Sequence, residues 1–317
     1  MKQLAAALLA VMPGLRAQET PRPDRVPWMA LLPEPLPEGR SALALEATSQ
    51  FLRPDRRETA DGRTQAALDG EEWQLTGDLA HPFATGTLNL RVRVVNRSGG
   101  WADQAFSTWH AVLGTPTGGR EVVPKYRMEY SLTRDGVVIA ALAHPATQLL
   151  DVDLAWVQPH GTALRGWRWG ASLQLPTGDA RTFGGSGGTD ATVGAAGWTP
   201  AGPLRLHLQA EHLWVGLPER SAWRRVMARR SLSRAWGGVA YEGPGPGFWR
   251  GLGLDVTLAW MESPYRTGLA RMDRAVLQQH WTFSHRALPR WRFGFSEEAG
   301  SYVAPDLTAF LAYRFGE

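Results

Sequence analysis

From Gly39 onward the chain alternates apolar and polar residues with a period of two, and the pattern keeps returning. Leu43, Leu45 and Ala47 alternate with Ala44, Glu46 and Thr48, and Trp73, Leu75 and Leu79 with Gln74, Thr76 and Asp78. Leu88, Leu90, Val92 and Val94 enclose Asn89, Arg91 and Arg93, and Leu150, Val152, Leu154 and Trp156 enclose Asp151 and Asp153. The second half repeats this around Trp167–Leu175, Leu204–Trp214, Leu252–Trp260, Trp291–Phe295 and Leu307–Phe315. Period-two alternation predicts strands with one face in an apolar phase. Each run is about 9–11 residues, the length at which a tilted strand crosses a bilayer.

Turn clusters separate the runs: Asn96-Arg97-Ser98-Gly99-Gly100, Pro176-Thr177-Gly178-Asp179 and Gly243-Pro244-Gly245-Pro246-Gly247. At roughly 24 residues per strand and turn, the mature chain holds roughly 12 strands. Counting Tyr126–Arg134 and Val137–Ala143 as spanning raises this to 14, but the second is short and uniformly apolar, so 12 is expected. One segment departs from the period: Trp101, Ala105, Phe106, Trp109 and Leu113 fall at helical spacing and predict a short amphipathic helix near 101–113.

Alternation alone does not separate a membrane barrel from an exported soluble β-protein. Three features favour the barrel. Trp and Tyr recur near strand ends, as in aromatic girdles. The polar face is rich in charge. A last strand at Leu307–Phe315 lets the sheet close on itself and abolish its edges. The predicted fold is therefore all-β, a transmembrane antiparallel up-and-down barrel of about 12 strands.

The N-terminus reads as an export signal, residues 1–17: Lys2, an apolar stretch Leu4–Met12, then Pro13-Gly14 and Ala17. A Pro-rich extension follows over residues 18–40, and residues 41–317 are expected to form a single barrel domain. The address implied is the outer membrane of a Gram-negative-type bacterium. The chain has no Cys, which excludes disulfides, iron–sulfur clusters and thiolate zinc sites. Its net charge of +4 falls to +2 without Lys2 and Arg16, too little for a nucleic-acid binder.

Candidate chemistry is sparse. Gly184-Gly185-Ser186-Gly187-Gly188 fits the G-x-S-x-G pattern, but the following residues read as a strand, where a nucleophile elbow needs a helix. The eight His show no metal-ligand spacing, and there is no phosphate-binding Gly-Lys-Ser/Thr. No catalytic residue, metal or cofactor is expected. The charged residues of the polar face, Arg91, Arg93, Asp151, Asp153, Arg168, Arg205, Glu211 and Asp255, are the candidate lumen groups. Asp151 and Asp153 could form an acid–base pair, though charges paired with Arg91, Arg93 or Arg168 are the expected reading. The densest basic run contributes Arg224, Arg225, Arg229 and Arg230 as candidate contacts to lipid phosphates.

Two glycine-rich stretches carry a family resemblance. Gly114-Thr115-Pro116-Thr117-Gly118-Gly119-Arg120 precedes Val123-Pro124, and Leu175-Pro176-Thr177-Gly178-Asp179 leads to Gly184-Gly185-Ser186-Gly187-Gly188-Thr189-Asp190. Their order and the strands between them resemble the family of outer-membrane β-barrel proteins catalogued as domain of unknown function 3187. The resemblance implies an outer-membrane address and no particular activity. Barrels of this kind end on an aromatic residue, whereas this sequence ends Phe315-Gly316-Glu317.

The expected function is a structural barrel or a narrow passive or semi-specific pore with a mixed-charge lumen. Its expected partners are outer-membrane lipid, lipopolysaccharide and the barrel-assembly machinery, with no nucleic acid. The alternatives are an exported soluble binding protein and an outer-membrane lipid-modifying enzyme.

Overall fold

The computed structural model describes residues 42–99, 108, 126–161, 165–244, 250–298 and 308–315. The export signal, the Pro-rich extension and the proposed helix residues Trp101, Ala105, Phe106, Trp109 and Leu113 lie outside the described residues.

The strands are β1 (Ala42–Glu58), β2 (Thr64–Phe83), β3 (Gly86–Ser98), β4 (Glu129–Arg134), β5 (Val137–Leu142), β6 (Ala146–Leu149), β7 (Val152–Gly161) and β8 (Gly166–Leu175). They continue as β9 (Asp190–Ala201), β10 (Leu204–Trp214), β11 (Ser231–Pro244), β12 (Arg250–Met261), β13 (Val276–His285), β14 (Leu288–Glu298) and β15 (Thr308–Phe315). Twelve of them close a ring. β1, β2, β3 and β7 pair in order, β7 leads through each successive strand to β15, and β15 pairs back onto β1. All pairings are antiparallel, and closure leaves the ring without a free edge.

β4 and β5 are not part of the ring. β2 runs past the end of β3, and its first residues, Thr64–Asp69, pair with β4 instead. The spanning-strand count is thus 12, and the Tyr126–Arg134 and Val137–Ala143 segments form a hairpin at one end. β6 and β7 are two halves of one broken strand against β3, with Leu150-Asp151 in the break. The predicted turn at Asn96–Gly100 is corrected in part: β3 extends through Ser98, so Arg97 is a wall residue.

The two ends differ. Connections at one end are short: residues 84–85, 202–203 and 286–287. At the other end residues 176–189, 215–230 and 262–275 form long loops. Short turns at one rim and long loops at the other is the arrangement of bacterial outer-membrane barrels.

Face assignment follows the alternation. Leu75, Leu79, Trp167, Leu173, Leu206, Leu208, Leu258, Phe293 and Leu311 point outward and are exposed. The opposite face is polar and buried: Gln74, Thr76, Asp78, Asn89, Ser172, Gln174, Thr192 and Thr257. An apolar outside around a polar inside is the inverse of a soluble sandwich, and it suits lipid around the barrel.

Candidate functional site

The inner wall is lined with ion pairs set by strand register. Asp78 lies opposite Arg91, Glu72 opposite Arg97, and Glu211 opposite Arg234. Each pair is joined: Arg91 Nε to Asp78 Oδ1 at 2.7 Å, Arg97 Nε to Glu72 Oε1 at 2.7 Å, and Arg234 to Glu211. Arg93 Nη2 reaches Asp153 Oδ2 at 2.8 Å, and His207 Nε2 lies 3.1 Å from Asp255 Oδ2. Arg168 Nη2 donates to Gln209 Oε1 at 3.2 Å. Arg205 is half-buried nearer the short-turn end. Opposite charges at directly facing positions stabilise the pairing, and removing one member of a desolvated pair leaves a costly bare charge.

Several inner-wall atoms have no protein partner: Gln74 Oε1, Ser172 Oγ, both amide atoms of Gln174, Thr192 Oγ1 and His280 Nε2. Buried polar atoms are rarely left unbonded, so water is the partner this wall calls for.

At the loop end the interior changes character. Leu213, Leu232, Met261 and Val276 join the β4–β5 hairpin, through Tyr130, Leu132, Ile139 and Ala140, in one apolar core. The loops add Phe183, Trp223, Met227, Tyr265, Leu269 and Met272. Trp223 is at the centre of this roof. Its Nε1 donates to Ala180 O at 2.9 Å, and its ring meets Phe183 edge-on at 6.0 Å. Apolar residues from three loops and a hairpin thus pack together at the loop end, beyond the ion pairs of the inner wall.

Arg97 connects roof to wall. Fully buried, it pairs with Glu72, donates to the carbonyls of Thr182 and Phe183 at 3.0 and 3.2 Å, and stands over the Tyr130 ring. Arg134 does the same for another loop, donating to Thr267 O at 2.8 Å. Sequence reasoning missed Arg97 although it shares the parity of Arg91 and Arg93, because the adjoining Ser-Gly-Gly suggested that the strand had already ended.

Asp151 and Asp153 do not act as a pair. Asp153 faces Arg93 in the lumen, whereas the Asp151 carboxylate accepts Gly178 N at 2.8 Å and Ser186 N at 3.1 Å. Burial pushes Asp151 up to about 6 against the pull of those two amides and Arg93. The glycine stretch is explained by this contact: a Cβ at Gly185 would lie 2.1 Å from Asp151 Oδ2, and one at Gly188 would lie 1.4 Å from Gly216 O. Ser186 Oγ donates to Gly188 O at 2.9 Å and lies 3.1 Å from Asp190 Oδ1, which also accepts Gly216 N at 2.8 Å. β9 follows, so the segment is a braced loop without the strand–helix setting of a nucleophile elbow.

The basic run lies on the outside of the roof. Arg224 is spent on its own loop, donating to Pro218 O and Leu217 O at 2.9 and 3.1 Å, and Arg229 stands 3.4 Å from Glu262. Arg225 and Arg230 are exposed. Among the described residues no group of three His, Asp or Glu could hold a metal ion.

Comparison with known proteins adds the following. The family described as "Protein of unknown function (DUF3187)" matches residues 46–200. No curated protein matches the chain. Among solved structures, the COG4313 outer membrane channel from Pseudomonas putida F1 is 12% identical, with a TM-score of 0.53 over 88% of this chain and 97% of that one. The NanC porin is 10% identical, with a TM-score of 0.43 over 86% of this chain and 100% of that one. The first of these shares the barrel fold. Residues 46–200, which span β1 through β9 and half of the ring strands, are thus similar to the DUF3187 family, and the described strands form a closed β-barrel like that of the channel from Pseudomonas putida F1.

Proposed function

We propose that the protein is a narrow, passive outer-membrane pore whose loop-end roof holds it shut in this conformation. The observation that carries this reading is the abrupt change along one inner face. A water-demanding, charge-balanced wall ends beneath a separate apolar roof made of loops. A barrel built only as a girder gains nothing from a polar interior, which an apolar filling would replace at no cost. The short-turn end supports the same reading, since its inner positions Ala44, Arg205, Arg292 and Arg314 are only half-buried. In this reading the short turns, with the start of β1 and the end of β15, face the periplasm, the chain is exported with a cleaved leader, and the roof faces outward. Arg225 and Arg230 on the roof suit lipopolysaccharide phosphates, and the barrel-assembly machinery is the partner during insertion.

The test is conductance in planar bilayers. Wild type should show little or no current. Trp223→Ala removes the centre of the roof at a local cost of about 3–5 kcal/mol and should raise the open fraction while the barrel keeps its heat-dependent gel mobility. A folded Trp223→Ala barrel that conducts nothing would favour a sealed structural role.

A further inference from the structure

The outward wall carries a polar cluster that a lipid-facing surface does not need. Down β10 the outward positions are Leu204, Leu206, Leu208, Ala210, His212 and Trp214, and on β11 they are Ser231, Ser233, Ala235, Gly237, Val239 and Tyr241. His212 lies opposite Ser233, and Trp214 opposite Ser231. Trp214 is exposed and lies beyond His212 toward the loops, while exposed Trp260 lies one step inward, level with Ala235. The cluster therefore sits within the aromatic belt, at the depth of lipid headgroups and ester carbonyls. Polar side chains are tolerated at that depth, so it is the geometry of the cluster, with both imidazole nitrogens on serine hydroxyls, that sets it apart.

We infer that His212 and Ser231 form a nucleophilic pair on the outer wall, aimed at acyl esters of phosphate-bearing outer-leaflet lipids. His212 Nε2 lies 2.6 Å from Ser231 Oγ, and its Nδ1 lies 3.2 Å from Ser233 Oγ. Trp214 holds the imidazole edge-on at 4.7 Å. The strand at Ser233 is fixed in turn by Glu262, whose Oε2 accepts Ser233 N at 2.6 Å and whose own N donates to Ser233 O at 3.1 Å. Exposed Arg229, beside Glu262, offers a cation to a phosphate headgroup. Ser231 is exposed and open to substrate.

With Nδ1–H donated to Ser233, Nε2 is free to accept the Ser231 proton. Ser231 Oγ then bonds to the ester carbonyl carbon as its proton passes to His212. The carbon–oxygen bond to the glycerol or sugar breaks, and His212 returns the proton to the leaving alkoxide. Water, deprotonated by His212, cleaves the acyl-serine, releasing the fatty acid and restoring Ser231. A hydroxyl in the orienting position, in place of a carboxylate, makes this a slow hydrolase.

The test uses the purified full-length barrel in mixed micelles of detergent with phosphatidylethanolamine and phosphatidylglycerol, reading fatty-acid release, and a fluorophosphonate probe mapped by mass spectrometry. Wild type should release fatty acid and take the probe at Ser231. Ser231→Ala and His212→Gln should each lose about 100-fold or more in release, with unchanged heat-dependent gel mobility. Ser233→Ala should lose less and shift the pH profile of release. Wild-type protein with neither labelling nor release, or a Ser231→Ala variant as active as wild type, overturns the assignment.

Discussion

Two neighbouring pairs on the inner face of β10 and β11 show what divides this molecule. Glu211 and Arg234 face each other, and two residues toward the loops Leu213 and Leu232 face each other in the same way. All four are almost wholly buried. Roughly 7 Å along the strand, the same face passes from an ion pair in a charge-lined lumen to a leucine pair in an apolar roof. Strand periodicity assigns both pairs to the inside. What the inside contains at each height is set by the loops that fold over it, and these come from distant stretches of chain.

The largest expected effect breaks the charged pair. Arg234→Met leaves the Glu211 carboxylate buried without its guanidinium and should cost about 3–5 kcal/mol. Adding Glu211→Leu should recover most of that loss, because the pair would then resemble the leucines above it. The midpoint of urea unfolding, followed by gel mobility, measures both variants. If single and double variants are equally destabilised, the pair is not desolvated and the contrast between lumen and roof is smaller than the burial suggests.

The next effect sharpens the contrast between inside and outside. Leu206 points to lipid and Gln209 into the lumen. Leu206→Arg should cost about 2–4 kcal/mol if it lies near the midplane, whereas Arg205→Gln, at the half-buried inner position beside it, should cost little. Equal sensitivity would show that lipid does not surround this face.

How much of this was legible depends on sequence distance. The outward parity of Leu204, Leu206 and Leu208 and the inward parity of Arg205, His207 and Gln209 are visible in eleven consecutive residues of β10. The exclusion of Val137–Ala143 from the spanning set was legible too, since a short, uniformly apolar run has no lipid-versus-lumen alternation. The roof was not. Tyr130 reads as one more strand residue until Phe183 is found 6.4 Å from it, more than fifty positions away. The His212–Ser231 contact was hidden for the same reason: the register of β10 on β11 across an intervening loop creates it, and no spacing motif announces it. Asp151 and Asp153 look equivalent two apart, but the break between β6 and β7 turns one carboxylate onto a loop and leaves the other in the lumen.

That separation gives the smallest expected effect, confined to the roof. Asp151 holds the 176–189 loop through two backbone amides, and burial raises its pKa from 3.8 to about 6. A carboxyl raised on folding binds its proton more tightly in the closed loop than in the open one. Its contribution is therefore complete below the ordinary value of 3.8 and is lost as pH rises through about 6. Arg93 opposes this shift and Asp153 adds to it, and both belong to the lumen beneath. Arg181, exposed within the same loop, reports opening as a tryptic cleavage site. The cleavage rate of wild type relative to Asp151→Asn cancels the pH dependence of trypsin itself. That ratio should climb as pH rises from about 5 to about 7, because Asn stays neutral while Asp ionises. A flat ratio would mean that the Asp151 charge is compensated in place and that the loop is clamped by Arg97 alone.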